Sequence, residues 1–285
     1  MKRFIIPIFV SHKGCRQKCI FCNQYNIAGN PYPAINIRET IISHIDTQLK
    51  KFGKINPKYE KTQISFYGGS FTCLPKKIML KYFNIACKFL KHSNSGEIED
   101  KYKVADSLRL STRPDCIDEE TADFLLQNGV KTVEIGAQTL DNELLEILNR
   151  GHSLQHLIDA VKVLRKYNFE TGIQLMVGVP RETKKKLEKM AELLIDKLKP
   201  NFVRIYPLIV IKGTAIEKMY NNGEYQPLSV DEAVKRTLII AKKCVKNNIE
   251  IARIGLQQTE NLSETVVAGP ALPNIGEIVR QQLYN

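Results

Sequence analysis

The chain has 285 residues, 43% of them hydrophobic, so it can bury a large core as one α/β domain or as one domain with a small appendage. A formal net charge of +12 suits an anionic partner such as nucleic acid, although lysine runs such as Lys184-Lys185-Lys186 also read as solvated helix faces. No apolar stretch approaches the roughly 20 residues that cross a bilayer, which excludes a membrane partner from the expectation. Seven cysteines are too few for a disulfide-stapled secreted fold, and with no signal peptide the expected compartment is the reducing cytoplasm.

Phe4 to Val10 reads as the first strand. It opens into Gly-Cys-Arg-Gln-Lys-Cys-Ile-Phe-Cys, which separates Cys15, Cys19 and Cys22 by three and two residues. Three thiolates at this spacing can hold one cluster. In a four-iron four-sulfur cube they leave one iron without a protein ligand and open to a cofactor. Structural zinc is the competing reading, but zinc wants four closed ligands, and His12 and the distant Cys73 are the nearby candidates.

Further along, short β-rich runs alternate with segments of helical period, the pattern of parallel strands joined by crossover helices. Strands are expected at Thr62 to Tyr67, Ser107 to Ser111, Lys131 to Ala137, Gly172 to Gly178 and Phe202 to Tyr206, six with the first. Between them, Arg38 to Phe52 carries Ile41, Ile42, Ile45, Leu49 and Phe52 on one stripe, and Lys77 to Leu90 carries Ile78, Tyr82, Ala86 and Phe89. Asp118, Asp141 and Ser153 open helices, and Gly129 and Gly151 close the first two of them.

Polar residues gather at the strands' C-terminal ends, in Gly68-Gly69-Ser70, Ser111-Thr112-Arg113, Gln138 and Gly178, and in a barrel that end faces the active site. Six strands make an incomplete barrel, open on one side, which suits a large substrate. After the sixth strand come a short helix to Tyr220, a long helix from Ser229 to Asn248 and a strand-like Glu250 to Leu256. Residues 1–210 are therefore expected to form the barrel and 211–285 an extension packed on it. Cys73, Cys87 and Cys244 read as small buried side chains, and Cys116, beside the mouth, as a candidate reactive thiol.

The Cys-x3-Cys-x2-Cys spacing, with Phe21 before the last cysteine, resembles the hallmark of the radical S-adenosylmethionine (SAM) superfamily. The resemblance implies a partial (β/α)6 TIM-like barrel, a 4Fe-4S cluster on Cys15, Cys19 and Cys22, and bound SAM. Phe66-Tyr67-Gly68-Gly69-Ser70 is similar to the superfamily's glycine pair, which holds the amino group of SAM. Glu134-Ile135-Gly136-Ala137-Gln138 followed by Arg150-Gly151-His152 resembles a pattern shared by Elongator-type subunits and oxygen-independent coproporphyrinogen oxidases. It implies Gln138 on the ribose and Arg150 on the carboxylate of SAM, where a guanidinium fork matches a carboxylate. Ser111 and Gln174 stand where the porphyrinogen enzymes carry acidic residues that touch the cofactor, and the backbone around Gly178 stands where adenine is contacted.

Ser-Thr-Arg-Pro-Asp at 111–115, Val203 to Pro207 and Ile254 to Gln257 are closer to the Elongator-type subunits. The chain thus resembles a stand-alone bacterial relative without the acetyltransferase domain. The resemblance implies an enzyme in which a reduced cluster cleaves SAM to methionine and a 5′-deoxyadenosyl radical, with a reductant such as ferredoxin or flavodoxin. With the open mouth and the positive charge it points to an RNA substrate, a transfer-RNA base. A non-catalytic iron-sulfur or haem-handling protein is the alternative, and no catalytic residue beyond the cluster is assigned.

Overall fold

The computed structural model describes residues 2–28, 36–257 and 260–284. Seven strands form one parallel sheet, in the order β1 (Arg3–Phe9), β2 (Lys61–Tyr67), β3 (Ser107–Thr112), β4 (Val130–Gln138), β5 (Glu170–Val177), β6 (Phe202–Pro207) and β8 (Glu250–Ile254). The two-residue β7 (Val210–Ile211) pairs antiparallel with β9 (Val266–Ala268) outside it.

Crossovers are helical. They use α1 (Gln24–Ala28) and α2 (Ile37–Phe52), then α3 (Lys76–Ala86), α4 (Glu119–Gln127), α5 (Asn142–Ile147) with α6 (Leu154–Lys166), α7 (Lys184–Leu193), and α8 (Ala215–Asn221) with α9 (Val230–Lys246). The chain then runs through α10 (Glu260–Thr265) and β9 to α11 (Ile275–Tyr284). This is the incomplete α/β barrel expected from the alternation of elements. Its seventh strand is the strand-like segment after the long helix, pairing with β6 from Phe202↔Glu250 to Ile205↔Ile254. A count of six is one short because β6, α9 and β8 repeat the strand–helix–strand unit once more.

The helix starts follow from short polar side chains. Asp118, Asp141 and Ser153 accept hydrogen bonds from the backbone N–H groups of Thr121, Leu144 and His156, each worth about 1 kcal/mol. Ile41 and Ile45 on α2 are buried, whereas Phe52, placed on the same stripe by the periodicity, is 39% exposed at the helix end. The outer face of the sheet meets the helices with Ile64, Phe66, Leu108, Leu110, Val133 and Ile135, all fully buried.

The other face of the strands is polar well below the rim. Gln63 Nε2 donates to Ser107 Oγ (3.0 Å) and Thr132 Oγ1 (2.9 Å), and Thr132 Oγ1 donates to Glu170 Oε2 (2.7 Å). Arg109, 1% exposed, donates through Nη1 to Gln63 Oε1 (3.2 Å) and through Nε to Glu134 Oε1 (2.6 Å). Glu134 also takes the Tyr67 hydroxyl (2.7 Å) and pairs with Arg204 (2.5 Å). Arg3 on β1 reaches Glu170 and Glu250 (3.0 Å to the latter), tying the two edge strands together by side chains. A Cβ on Gly172 would stand 2.2 Å from the Phe202 ring, so the missing side chain lets that ring lie beneath the Arg109 guanidinium, 4.6 Å from it.

The cysteines outside the triplet divide. Cys244 is buried and Cys87 half-buried, as expected of small packing residues. Cys73 and Cys116 are disulfide-bonded, with Cα atoms 5.3 Å apart, which corrects the expectation of a packing thiol and a free reactive thiol. They lie 43 residues apart in sequence, and only the neighbouring of β2 and β3 brings the following loops together.

Candidate active site

The cysteine loop after β1 is knitted to the loop after β2. His12 N–H donates to Gly68 O (2.8 Å), Ser70 N–H to Lys13 O (2.9 Å) and Cys15 N–H to His12 O (3.1 Å). A Cβ on Gly69 would lie 2.3 Å from the Lys13 carbonyl oxygen and 2.8 Å from that of Val10, so only glycine permits this approach. The close approach that the glycine pair signals is thus made, in this structure, to the cysteine loop itself.

The loop's far half is fastened to other elements. Ile20 N–H donates to Leu148 O (3.2 Å), Asn149 Nδ2 to Lys18 O (3.0 Å) and Ile216 N–H to Ile20 O (2.9 Å). Phe21 is half-buried against an apolar patch that includes Leu144, Leu148 and Met176. The loop is therefore positioned by β2, by the end of α5 and by α8.

Each sulfur of the triplet has its own side-chain partner. Cys15 Sγ, on an exposed residue, lies 3.5 Å from Ser70 Oγ. Cys19 Sγ, buried, accepts from Arg150 Nη1 (3.1 Å), and Cys22 Sγ accepts from Gln24 Nε2 (3.3 Å). Burial pushes the Cys22 thiol up to about 12, with the nearby Cys19 and Cys15 adding to it. A thiolate there would need a cation beside it. Among the described residues no three His, Cys, Asp or Glu side chains converge as a single ion requires. What one loop offers is three thiols backed by a hydroxyl, a guanidinium and an amide, a donor set that suits iron at separate corners of a cluster.

The other expected residues lie on the same rim. Arg150 donates its second terminal nitrogen to Gly136 O, and its Nε is buried without a hydrogen-bond partner. Gln138 ends β4 at φ +70° beside a register shift, and its Oε1 accepts from Gln174 Nε2 (3.1 Å). An αL glutamine at a bulge re-aims the side chain at a sheet end. Ser111 Oγ donates to Phe66 O at 3.5 Å. Gly178 N–H donates to Glu182 Oε1 (2.9 Å) and its carbonyl accepts from the Tyr225 hydroxyl (2.7 Å). The structure joins Cys15 to Ser70, Cys19 to Arg150 and Gly136, and Gln138 to Gln174. No hydrogen bond links Phe21, Ser111 or Gly178 to those groups among the described residues.

Gln24 escapes the sequence reading, whereas Arg113 and His152 stand in motifs it singles out without a role for either. Gln24, two residues past the last cysteine, carries no motif signal. Arg113 donates to Asp115 Oδ1 (2.8 Å) and to Gly151 O (3.1 Å), bridging the loop after β3 and the turn between α5 and α6. His152 beside it is 8% exposed with neither ring nitrogen hydrogen-bonded. Burial, then the charges of Arg150 and Arg113, hold its ring down to about 3, so it is neutral near pH 7. No helix among the described residues is long and apolar enough to cross a membrane.

The chain is similar to known proteins in sequence and in fold. An uncharacterized protein of Methanocaldococcus jannaschii is 31% identical over 247 residues, which are 82% of this chain and 69% of that one. The tRNA uridine(34) acetyltransferase of the same organism is 25% identical over 298 residues, 96% of this chain and 54% of its own length. The archaeal Elp3 of Methanocaldococcus infernus has the same fold, with a TM-score of 0.76 at 23% identity over 99% of this chain and 62% of that one. The chain spans about half the length of the acetyltransferase it matches. Residues 9–194 match the Radical SAM superfamily and residues 200–285 the Radical_SAM C-terminal domain, so the chain belongs to the radical SAM superfamily of enzymes.

Proposed function

We propose that the chain is an Elongator-type radical SAM enzyme that acts on a transfer-RNA base, with Cys15, Cys19 and Cys22 as the ligands of a 4Fe-4S cluster. When bound, the cluster supplies one electron that cleaves SAM reductively to methionine and a 5′-deoxyadenosyl radical. The observation that carries the reading is the polar side-chain partner at each sulfur of the triplet, on a loop fastened to Gly68-Gly69-Ser70.

This chain's residues would bind and orient. Gly68, Gly69 and Ser70 present backbone groups to the amino group of SAM. Arg150, already between the Cys19 sulfur and the Gly136 carbonyl, would offer its guanidinium to the carboxylate. Gln138 and Gln174 would act as one bonded pair toward the ribose, and by the family resemblance Ser111, Phe21 and the backbone around Gly178 would line the same cofactor site. Residues 211–285 extend the barrel and steady this rim, since Tyr225 holds Gly178 and Arg236 pairs with Glu182 (3.0 Å).

The substrate reading draws on the net charge of +12, which attracts phosphates, and on a relative that is named a tRNA uridine(34) acetyltransferase. The electron donor would be a small protein such as ferredoxin or flavodoxin. The test is to reconstitute the chain anaerobically with iron and sulfide, reduce it, add SAM and look for 5′-deoxyadenosine. Release is expected, and a bound cluster without release would replace the enzyme by an iron-sulfur or haem-handling protein. Modified nucleosides in tRNA from cells with and without the gene test the substrate: identical profiles would overturn tRNA.

A further inference from the structure

We infer that Gln24 is a positioning residue for the cluster, one whose side-chain amide donates to the Cys22 sulfur and thereby sets how readily the bound cluster takes up an electron. The inference rests on the cluster reading above and adds to it a residue that no motif marks.

Gln24 is held at two points. Its backbone N–H donates to His12 Nε2 (2.9 Å), which places the His12 proton on Nδ1. His12 is itself held at φ +57°, unusual for a non-glycine residue, by its backbone bonds to Gly68 and Cys15. At the other end of the side chain, Nε2 donates to Cys22 Sγ at 3.3 Å, and Oε1 lies 3.4 Å from the place a Cβ on Gly68 would take. The orientation of the amide follows from charge, because an oxygen facing a thiolate would repel it.

The three sulfur partners are not equivalent. The hydroxyl of Ser70 can turn either way toward Cys15, at 3.5 Å. Arg150 brings a full charge but divides its donors between Cys19 and Gly136. Gln24 brings a neutral donor whose direction is fixed, to a sulfur on a half-buried residue where water competes poorly. Reduction passes one electron from an external one-electron donor to the bound cluster, with no proton moved and no bond made or broken. It adds negative charge that the sulfurs share, so an N–H···S bond stabilises the reduced form more than the oxidised form.

The test uses the full chain, reconstituted anaerobically without SAM, and compares wild type with Gln24→Leu and Gln24→Glu. The readouts are iron and sulfide content and a potentiometric titration followed by electron paramagnetic resonance. Both variants are expected to keep the cluster and to show reduction about tenfold less favourable, a lowering of about 59 mV for one electron. The shift should be at least as large in Gln24→Glu, which keeps the shape, removes the N–H and adds negative charge. Full iron with an unmoved potential in either variant overturns the inference, and so does loss of iron from both, which would make the role structural. If only Gln24→Leu loses iron, the potential of Gln24→Glu decides. A wild-type chain that takes up no iron overturns the cluster reading itself.

Discussion

The barrel's interior and its rim are built from similar polar side chains and leave them in different states. Inside, burial alone would lift the Glu134 carboxyl, yet Arg204 and Arg109 hold it down to about 2. The one Arg109 nitrogen without a hydrogen bond, Nη2, belongs to a guanidinium lying over the Phe202 ring. At the rim, His152 keeps both ring nitrogens unbonded, Arg150 Nε is buried without a hydrogen bond, and the sulfurs of Cys19 and Cys22 accept from Arg150 and Gln24. Arg3 Nε, Ser65 Oγ and Arg204 Nε inside also lack a hydrogen bond, but the two guanidinium groups there have a carboxylate beside them, whereas both ring nitrogens of His152 at the rim are left unbonded. The interior holds the strands in register, and the rim uses them.

Three perturbations separate the two regions, and the largest effect is expected on chemistry. Cys15→Ala should abolish 5′-deoxyadenosine formation while moving the thermal midpoint by no more than about 4 °C, a shift worth about 1 kcal/mol in a domain of this size. Retained cleavage would mean that the rim is misassigned. Next, Glu134→Gln strands two buried guanidinium groups and should cost about 3–5 kcal/mol in chemical denaturation, with cluster content unchanged once folded. A cost under about 1 kcal/mol would erase the distinction drawn for the interior.

The third effect is on pH dependence and is absent near neutral pH. His152 faces Arg150, Arg113, Asp115 and His156, and its ring is held down from 6.5 to about 3. The unfolded chain therefore binds the extra proton first, and this contribution to stability is present above pH 6.5 and lost as pH falls toward 3, with a slope of up to about 1.4 kcal/mol per pH unit. His152→Gln should flatten that acid limb. An unchanged slope would show that the ring is solvated in the folded state.

The cysteine triplet was readable because metal chemistry fixes spacing along the chain, and the helix caps at Asp118, Asp141 and Ser153 because capping is local. The barrel followed from alternation, down to Glu250–Ile254, which was readable as a strand but not as a member of the main sheet. The charged interior was missed even though Arg109 and Glu134 stand in mid-strand at period two with Gln63 and Thr132. Polarity was sought at strand ends, where a barrel places chemistry, and period-two polarity also belongs to a barrel whose interior is ion-paired. Gln24 and the Cys73–Cys116 pair gave no signal, since each depends on a neighbour supplied by another loop.

By itself the sequence determined the family, the spacing of the three cysteines proposed as cluster ligands, the alternation of strands and helices and the caps that start those helices, because spacing, periodicity and capping act over a few residues. Tertiary structure alone decided which donor meets which sulfur, that Glu134 is shared by Arg109 and Arg204, and that His152 is buried without a partner. Those facts depend on distances between segments far apart in the chain, and such distances exist only once seven strands have paired and their loops have been drawn to one rim.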